Sequence, residues 1–170
     1  MNLPDKYEAL VITLSDRAYR GEYEDLSGPR LREMLNDFFI TTGWDHNISM
    51  SLIPDDAVLL TNLIKEAAES CNFIFTTGGT GIGPRDITVE TVAPLLKKEI
   101  PGIMEMIRVK YGTLKPAALL SRGIAGITGN SLIYTLPGSV KAVVEYMTEI
   151  VKTLEHSVYM QYGIDRHTKS

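Results

Sequence analysis

Two apolar periods alternate along this chain. Ala9–Leu14 (ALVITL) is a continuous apolar run, which predicts a strand buried on both faces. Leu31, Met34, Leu35, Phe38 and Phe39 then recur at helical spacing and form one stripe. Ser27 and Pro29 mark the start of that helix, with Ser27 as its cap. A connection over 41–46 leads to Ile48, Met50 and Leu52. These alternate with polar residues, as in a strand that is half buried or at a sheet edge. Ile53-Pro54-Asp55-Asp56 stops it, and Asp55 or Asp56 caps a helix that buries Leu60, Leu63, Ile64, Ala67 and Ala68. Phe73–Thr77 is apolar and β-prone, a third buried strand.

The second half is more broken. Thr88 caps a helical segment through Lys98, with Pro94 blurring its boundaries. A short helix covers 103–110, and a further short segment runs from Pro116 to Leu119-Leu120-Ser121-Arg122. Ile124–Thr128 and Leu132–Leu136 flank Gly129-Asn130, a hairpin signal. Ser139 caps a long helix striped by Val140, Val143, Val144, Met147, Ile150, Val151 and Leu154. Residues 160–170 are polar and read as a frayed tail. The order predicts an α/β fold: three αβα layers around a mostly parallel sheet, with one antiparallel strand from the C-terminal hairpin. No repeat or linker interrupts it, so 1–170 reads as a single domain.

The candidate chemistry centres on 76–88, TTGGTGIGPRDIT. Gly78, Gly79, Gly81 and Gly83 remove the Cβ atoms that keep other groups from the backbone. Their N–H groups are then free to converge on anionic oxygens, beside the positive end of a helix starting near Thr88. The loop is not a P-loop, because Gly83-Pro84-Arg85 stands where Gly-Lys-Ser/Thr is needed. Nor is it a dinucleotide fingerprint, because Pro84 takes the place of the third glycine. Four polar turns follow strands: Ser15-Asp16, Pro54-Asp55, Gly78–Asp86 and Pro137-Gly138-Ser139. In a parallel sheet such ends share the edge where ligands bind. Asp55 and Asp86 beside a phosphate loop repel the ligand unless a cation lies between them, and Mg²⁺ suits that place. The residues therefore point to a Mg²⁺–nucleotide or Mg²⁺–phosphate site. The structural alternatives are a helix cap for Asp55, an ion pair with Arg85 or a cap for Asp86, and a surface salt bridge for Arg122.

Composition narrows the field. The chain has 17 basic and 21 acidic residues and a formal charge of −4, which argues against general nucleic-acid binding but not against a local anion pocket. Cys71 is the one cysteine, so no internal disulfide forms, and core packing is its expected role. His46, His156 and His167 lack zinc-ligand spacing. No signal peptide or membrane-length apolar run is present, and the expected location is the cytoplasm.

The segments SDRAYRGEYEDLSGPRL (15–31), IPDD (53–56), TTGGTGIGPRDIT (76–88), EIPG (99–102), LLSRGIAGI (119–127) and LPGSVKAV (136–143) together resemble the molybdopterin adenylyltransferase family. The resemblance runs from about Ala9 to Val158. It implies transfer of AMP from Mg²⁺-ATP to the terminal phosphate of molybdopterin, with release of pyrophosphate, in molybdenum-cofactor biosynthesis. Carried over by motif, Asp55 and Asp86 are the key carboxylates and Mg²⁺ ligands. Gly78, Gly79, Thr80 and Gly81 are the phosphate loop, Ser15 is the nucleotide-side hydroxyl, and Asp16 and Arg85, at the exits of their own turns, count with them as substrate- or nucleotide-binding residues. Ser121 and the turn Pro137, Gly138 and Ser139 complete the site. The resemblance also implies a homotrimer that hands its product to a molybdate-inserting protein. Two rivals remain: a pyrophosphatase branch of the same superfamily, and a non-catalytic molybdopterin-binding scaffold. Thr128 stands where the family often has a basic residue, which takes away one phosphate or pterin contact.

Overall fold

The computed structural model describes residues 3–164. Six strands form one sheet: β1 (Tyr7–Leu14), β2 (His46–Ile53), β3 (Phe73–Thr77), β4 (Lys98–Glu99), β5 (Ala125–Thr128) and β6 (Ser131–Leu136). Their spatial order is β2-β1-β3-β6-β5-β4. β1 lies parallel to β2 and β3, and β3 parallel to β6. β5 is antiparallel to both β6 and β4, so it alone opposes the rest, as the hairpin predicts.

Helices α1 (Asp16–Tyr19), α2 (Ser27–Thr42), α3 (Ala57–Ser70), α4 (Thr88–Val92), α5 (Pro101–Gly112) and α6 (Val140–Gln161) cover the two faces. Successive strand residues point to opposite sides. Tyr7, Ala9, Val11, Phe73, Phe75 and Tyr134 pack with α2, α5 and α6. Leu10, Ile12, Leu14, Ile74 and Ile133 pack with α3 and α4. That division is the three-layer αβα arrangement, and it explains why β1 and β3 carry no polar face. Each fully buried side chain of this size contributes roughly 1.5–3 kcal/mol of transfer free energy. The paired layers therefore fix the register on which the strand ends depend. β2 is an edge strand, as expected, but its alternation does not sort burial: Met50 is 40% and Leu52 36% exposed, and Ile53 is the buried residue. Cys71 packs against the α3 side of the core.

Four local expectations are corrected. The segment after Thr88 is not a helix to Lys98: α4 ends at Val92, a 3-10 turn covers Ala93–Leu95, and β4 follows. Pro94 has no N–H to continue an α-helical ladder. The chain instead pairs with β5, through Lys97 N to Ile127 O (2.7 Å) and Ile100 N to Ala125 O (2.7 Å). Thr88 does not cap α4; its hydroxyl donates to Gly78 O at 2.8 Å. Ser27 does not cap α2 either. Asp25 does so from two residues upstream: its Oδ1 accepts from the amides of Ser27 (3.0 Å) and Gly28 (3.1 Å). Ser139 does cap α6, accepting from Ala142 N. α6 itself extends through Gln161, so the tail begins later than expected, and 165–170 lie outside the described residues.

Asp25 also accepts from Thr13 Oγ1 at 2.7 Å, which ties the start of α2 to β1. Asp25→Ala removes a cap and leaves the buried Thr13 hydroxyl without its acceptor. The expected loss is about 2 kcal/mol, read as a lower urea midpoint with an unchanged slope.

Candidate functional site

Strands β1, β2, β3 and β6 end level with one another: Leu14 is paired with Ile53, Thr13 with Thr77, and Thr77 with Leu136. Their following turns therefore lie side by side. The chain visits β2 on one side of β1 and then β3 on the other, so the sheet's switch point falls between β1 and β3. That is where an open α/β sheet leaves a crevice.

Gly78 makes the crevice deep. Its φ is +105°, and a Cβ there would stand 2.3 Å from Leu14 O, so only glycine lets the β3 turn lie against the end of β1. On its other side Gly138 approaches, and a Cβ on Gly138 would meet Gly78 Cα at 3.2 Å. Thr77 Oγ1 also donates to Pro137 O at 2.9 Å. The first and last glycine turns are thus packed backbone to backbone.

A cavity of about 590 Å³ opens at this edge, within the usual range for a small-molecule site. Of the residues predicted from sequence, Ser15, Asp16, Asp55, Gly78, Gly79, Thr80, Gly81, Arg85, Asp86, Ser121, Pro137 and Gly138 all line it. Ser139 does not. It lines an adjoining cavity of about 380 Å³, beyond Ser121 and Pro137, together with Lys115 and Lys141. Ser121 and Pro137 line both cavities, and Tyr146 OH donates to Ser121 Oγ at 2.9 Å.

The carboxylates resolve the alternatives left by the sequence. Asp56 caps α3 by accepting from Val58 N and Leu59 N, which leaves Asp55 free of that task. Asp55 and Asp16 instead hold each other's backbones: Asp16 Oδ1 accepts from Asp55 N (3.0 Å), and Asp55 Oδ2 from Asp16 N (3.3 Å). Asp86 Oδ2 accepts from Gly83 N at 2.7 Å, which closes the glycine loop on itself. Arg85 reaches toward Asp16, 3.8 Å away, rather than pairing with its neighbour Asp86. Burial pushes the Asp55 acid above its ordinary range, and the charges of Asp16 and Asp86 add to that; the Asp16 amide and Arg85 partly offset it. The site therefore gathers negative charge that the chain itself neutralises only in part.

The amides behave in the opposite way. Among the described residues, those of Gly79, Thr80, Gly81 and Ile82 have no acceptor within the chain, although the flanking amides of Gly78, Gly83, Asp86 and Thr88 do. A run of unpaired N–H groups lining a cavity is an anion-binding surface. α4 is only five residues long, so the helix end expected to reinforce it has little dipole to offer.

Sequence reasoning missed Tyr23, which lines the cavity mouth with its hydroxyl 2.7 Å from Ser15 Oγ. No pattern marks it, since it stands alone in a polar loop. Thr128 turns out not to bear on the cavity. It ends β5 at the hairpin, and the hairpin sits by Ala68 at the opposite edge of the sheet. Among the described residues no cluster of three or more His, Cys, Asp or Glu side chains is arranged to hold a metal alone. No helix there is long and apolar enough to cross a membrane.

Fold and cavity together define an α/β protein with a glycine-rich loop of unpaired amides faced by carboxylates at its switch point. Residues 10–156 match the family model described as a probable molybdopterin binding domain, and the chain belongs to that family. The molybdenum cofactor synthesis protein cinnamon of Drosophila melanogaster is 37% identical over 152 residues, or 88% of this chain, which spans 25% of that longer protein. The molybdopterin adenylyltransferase of Helicobacter pylori strain J99 is 36% identical over 155 residues, covering 90% of this chain and 86% of that one. Among solved structures, the molybdopterin biosynthesis enzyme MoaB from Thermus thermophilus matches with a TM-score of 0.81 at 33% identity, covering 92% and 97% of the two chains.

The unneutralised charge has a measurable consequence. Asn at position 55 keeps an oxygen for the Asp16 amide and removes one negative charge. In chelator, Asp55→Asn is expected to raise the melting temperature by about 1–4 °C. A lower melting temperature would show that the Asp55 charge is compensated within the chain.

Proposed function

We propose that this protein is a molybdopterin adenylyltransferase: it transfers AMP from Mg²⁺-ATP to the terminal phosphate of molybdopterin and releases pyrophosphate. One observation carries this reading. Four unpaired loop amides and the carboxylates of Asp55 and Asp86 share one cavity at the strand ends. A phosphate chain satisfies the amides, and a cation between it and the carboxylates satisfies those. The named H. pylori relative, similar along nearly its whole length, supports the same assignment.

Mg²⁺ fits the residues present. It takes oxygen ligands, usually one or two carboxylates completed by water and phosphate oxygens, and the cavity offers Asp55 and Asp86 as such donors. When bound, it supplies charge neutralisation on the transferring and leaving phosphates.

The chain's own groups do the remainder. The amides of Gly79–Ile82 bind the phosphate oxygens and stabilise charge that grows on them during transfer. Ser15 contacts the nucleotide side, and Arg85 adds a mobile cation at the rim. The adjoining cavity, with Lys115 and Lys141, takes the second substrate and directs its phosphate past Ser121 to the α-phosphorus of ATP. Its oxygen attacks, the bond to pyrophosphate breaks, and no covalent enzyme intermediate is needed. Positioning and electrostatics account for the rate in such reactions. The same reading carries a cytoplasmic homotrimer that passes adenylylated molybdopterin to a molybdate-inserting protein.

The test is pyrophosphate release from Mg²⁺-ATP, with and without molybdopterin, in wild type, Asp86→Ala and Asp86→Asn. Release that requires molybdopterin is expected. It should fall by roughly 100-fold or more in both variants, because each removes the charge. Asp86→Asn keeps the acceptor for Gly83 N, so equal losses trace the effect to charge rather than loop shape. Release without molybdopterin would point to a pyrophosphatase, and tight molybdopterin binding without release to a scaffold.

A further inference from the structure

Arg122 follows the 3-10 turn Pro116–Leu120 and does not line the main cavity. Its donors nevertheless end on the glycine loop and the helix after it. The backbone N–H donates to Thr80 O at 2.9 Å. Nε donates to Gly81 O at 2.7 Å, and Nη2 to Asp86 O at 3.3 Å. The outer edge of the guanidinium pairs with the Glu90 carboxylate on α4. One residue thus joins the loop at Thr80 through its main chain, and at Gly81, at Asp86 and on the first helix beyond through its side chain.

In a trans peptide the C=O of one residue and the N–H of the next point in opposite directions. Drawing the carbonyls of Thr80 and Gly81 toward Arg122 therefore turns the amides of Gly81 and Ile82 the other way. Both of those residues line the cavity, and both amides are among the unpaired ones. Holding Asp86 O likewise fixes the backbone from which its carboxylate projects into the site. The guanidinium itself has no free edge for a ligand, because Nε, Nη1 and Nη2 are all engaged.

We propose that Arg122 is a positioning residue: from behind the loop, its planar fork locks the backbone so that the Ile82 amide and the Asp86 carboxylate face the bound phosphate, while its main-chain N–H, which every substitution keeps, turns the Gly81 amide the same way. That the anion is a nucleotide phosphate rests on the adenylyl-transfer reading; the clamp itself does not. Lysine, a point charge without the fork, holds one of these carbonyls but not both limbs.

The test uses the full chain as wild type, Arg122→Ala, Arg122→Lys and Glu90→Gln. Without ligand, hydrogen exchange is followed at the amides of Gly83, Asp86 and Thr88, which are bonded inside the loop. Exchange is expected to speed up by on the order of 10-fold in Arg122→Ala, with native circular dichroism. Mg²⁺-ATP affinity should weaken, and kcat should fall as well as KM rise, for a total loss in kcat/KM on the order of 100-fold. Arg122→Lys should lie between wild type and Arg122→Ala, and Glu90→Gln should shift exchange less but in the same direction. If Arg122→Ala does not fold, the other two variants carry the comparison. Native exchange and native ATP affinity in the folded variants would overturn the proposal. So would lost turnover with native exchange, which would make Arg122 a direct substrate contact. Faster exchange in a protein whose wild type shows no adenylyl transfer would support the clamp and overturn only the proposed reaction.

Discussion

The closeness of three backbones at Gly78 governs this structure. Leu14 O lies only 2.3 Å from where a Gly78 Cβ would be, and Gly138 presses from the other side. No side chain fits between the ends of β1, β3 and β6, so their turns meet as bare main chain. Main chain brings N–H groups and a concave surface, whereas side chains would fill the crevice. The parallel register makes the approach possible, and the two-sided burial of β1 and β3 makes it rigid. A slip of one residue in either strand would exchange its two buried faces and part the turns.

The layers were legible because burial writes itself into the period of the sequence. The apolar run of β1 and the stripes of α2, α3 and α6 are such records. The glycine loop was legible for a related reason: its composition is costly for an ordinary turn. What escaped were features fixed by distant partners. β4 is two residues long and exists only because β5 lies alongside, so no period announces it. Ser27 and Thr88 carry cap-forming side chains in cap-like positions. Yet Asp25 reaches the first amides of α2 before Ser27 can, and the hydroxyl of Thr88 is drawn to Gly78 O instead. Arg122 looked like a surface cation, and only the fold shows its side chain spanning 41 and 36 positions to Gly81 and Asp86.

The site works against the stability of its surroundings. Asp16, Asp55 and Asp86 are gathered in one cavity, and Arg85 sits 3.8 Å from only one of them. Asp16 and Asp55 lend each other backbone amides, which fixes their geometry without cancelling their charge. Partial burial then makes the ionised form of Asp55 harder to hold. A fold selected for stability alone would neutralise such a cluster. Keeping it is reasonable where an incoming cation supplies the missing charge.

The polar groups of the loop divide unevenly between its two sides. A purely structural turn spends its amides on its own carbonyls or on neighbouring chain. Here the bonding is one-sided. Carbonyls of Gly78, Thr80, Gly81 and Asp86 are taken up from behind by Thr88 and Arg122, and the loop ends are closed by Asp86 and Gly79. The amides between them, from Gly79 to Ile82, are left open toward the cavity. Satisfying one side firmly while leaving the other unsatisfied would preorganise donors for the phosphate of the proposed reaction, with little reorganisation left on binding. The departure from the P-loop pattern is then understandable in physical terms. A P-loop brings its cation to the phosphates on a lysine within the motif. Here Arg122 bonds the loop from behind and the groups opposite are carboxylates, so on the proposed reading the neutralising charge comes from a bound cation.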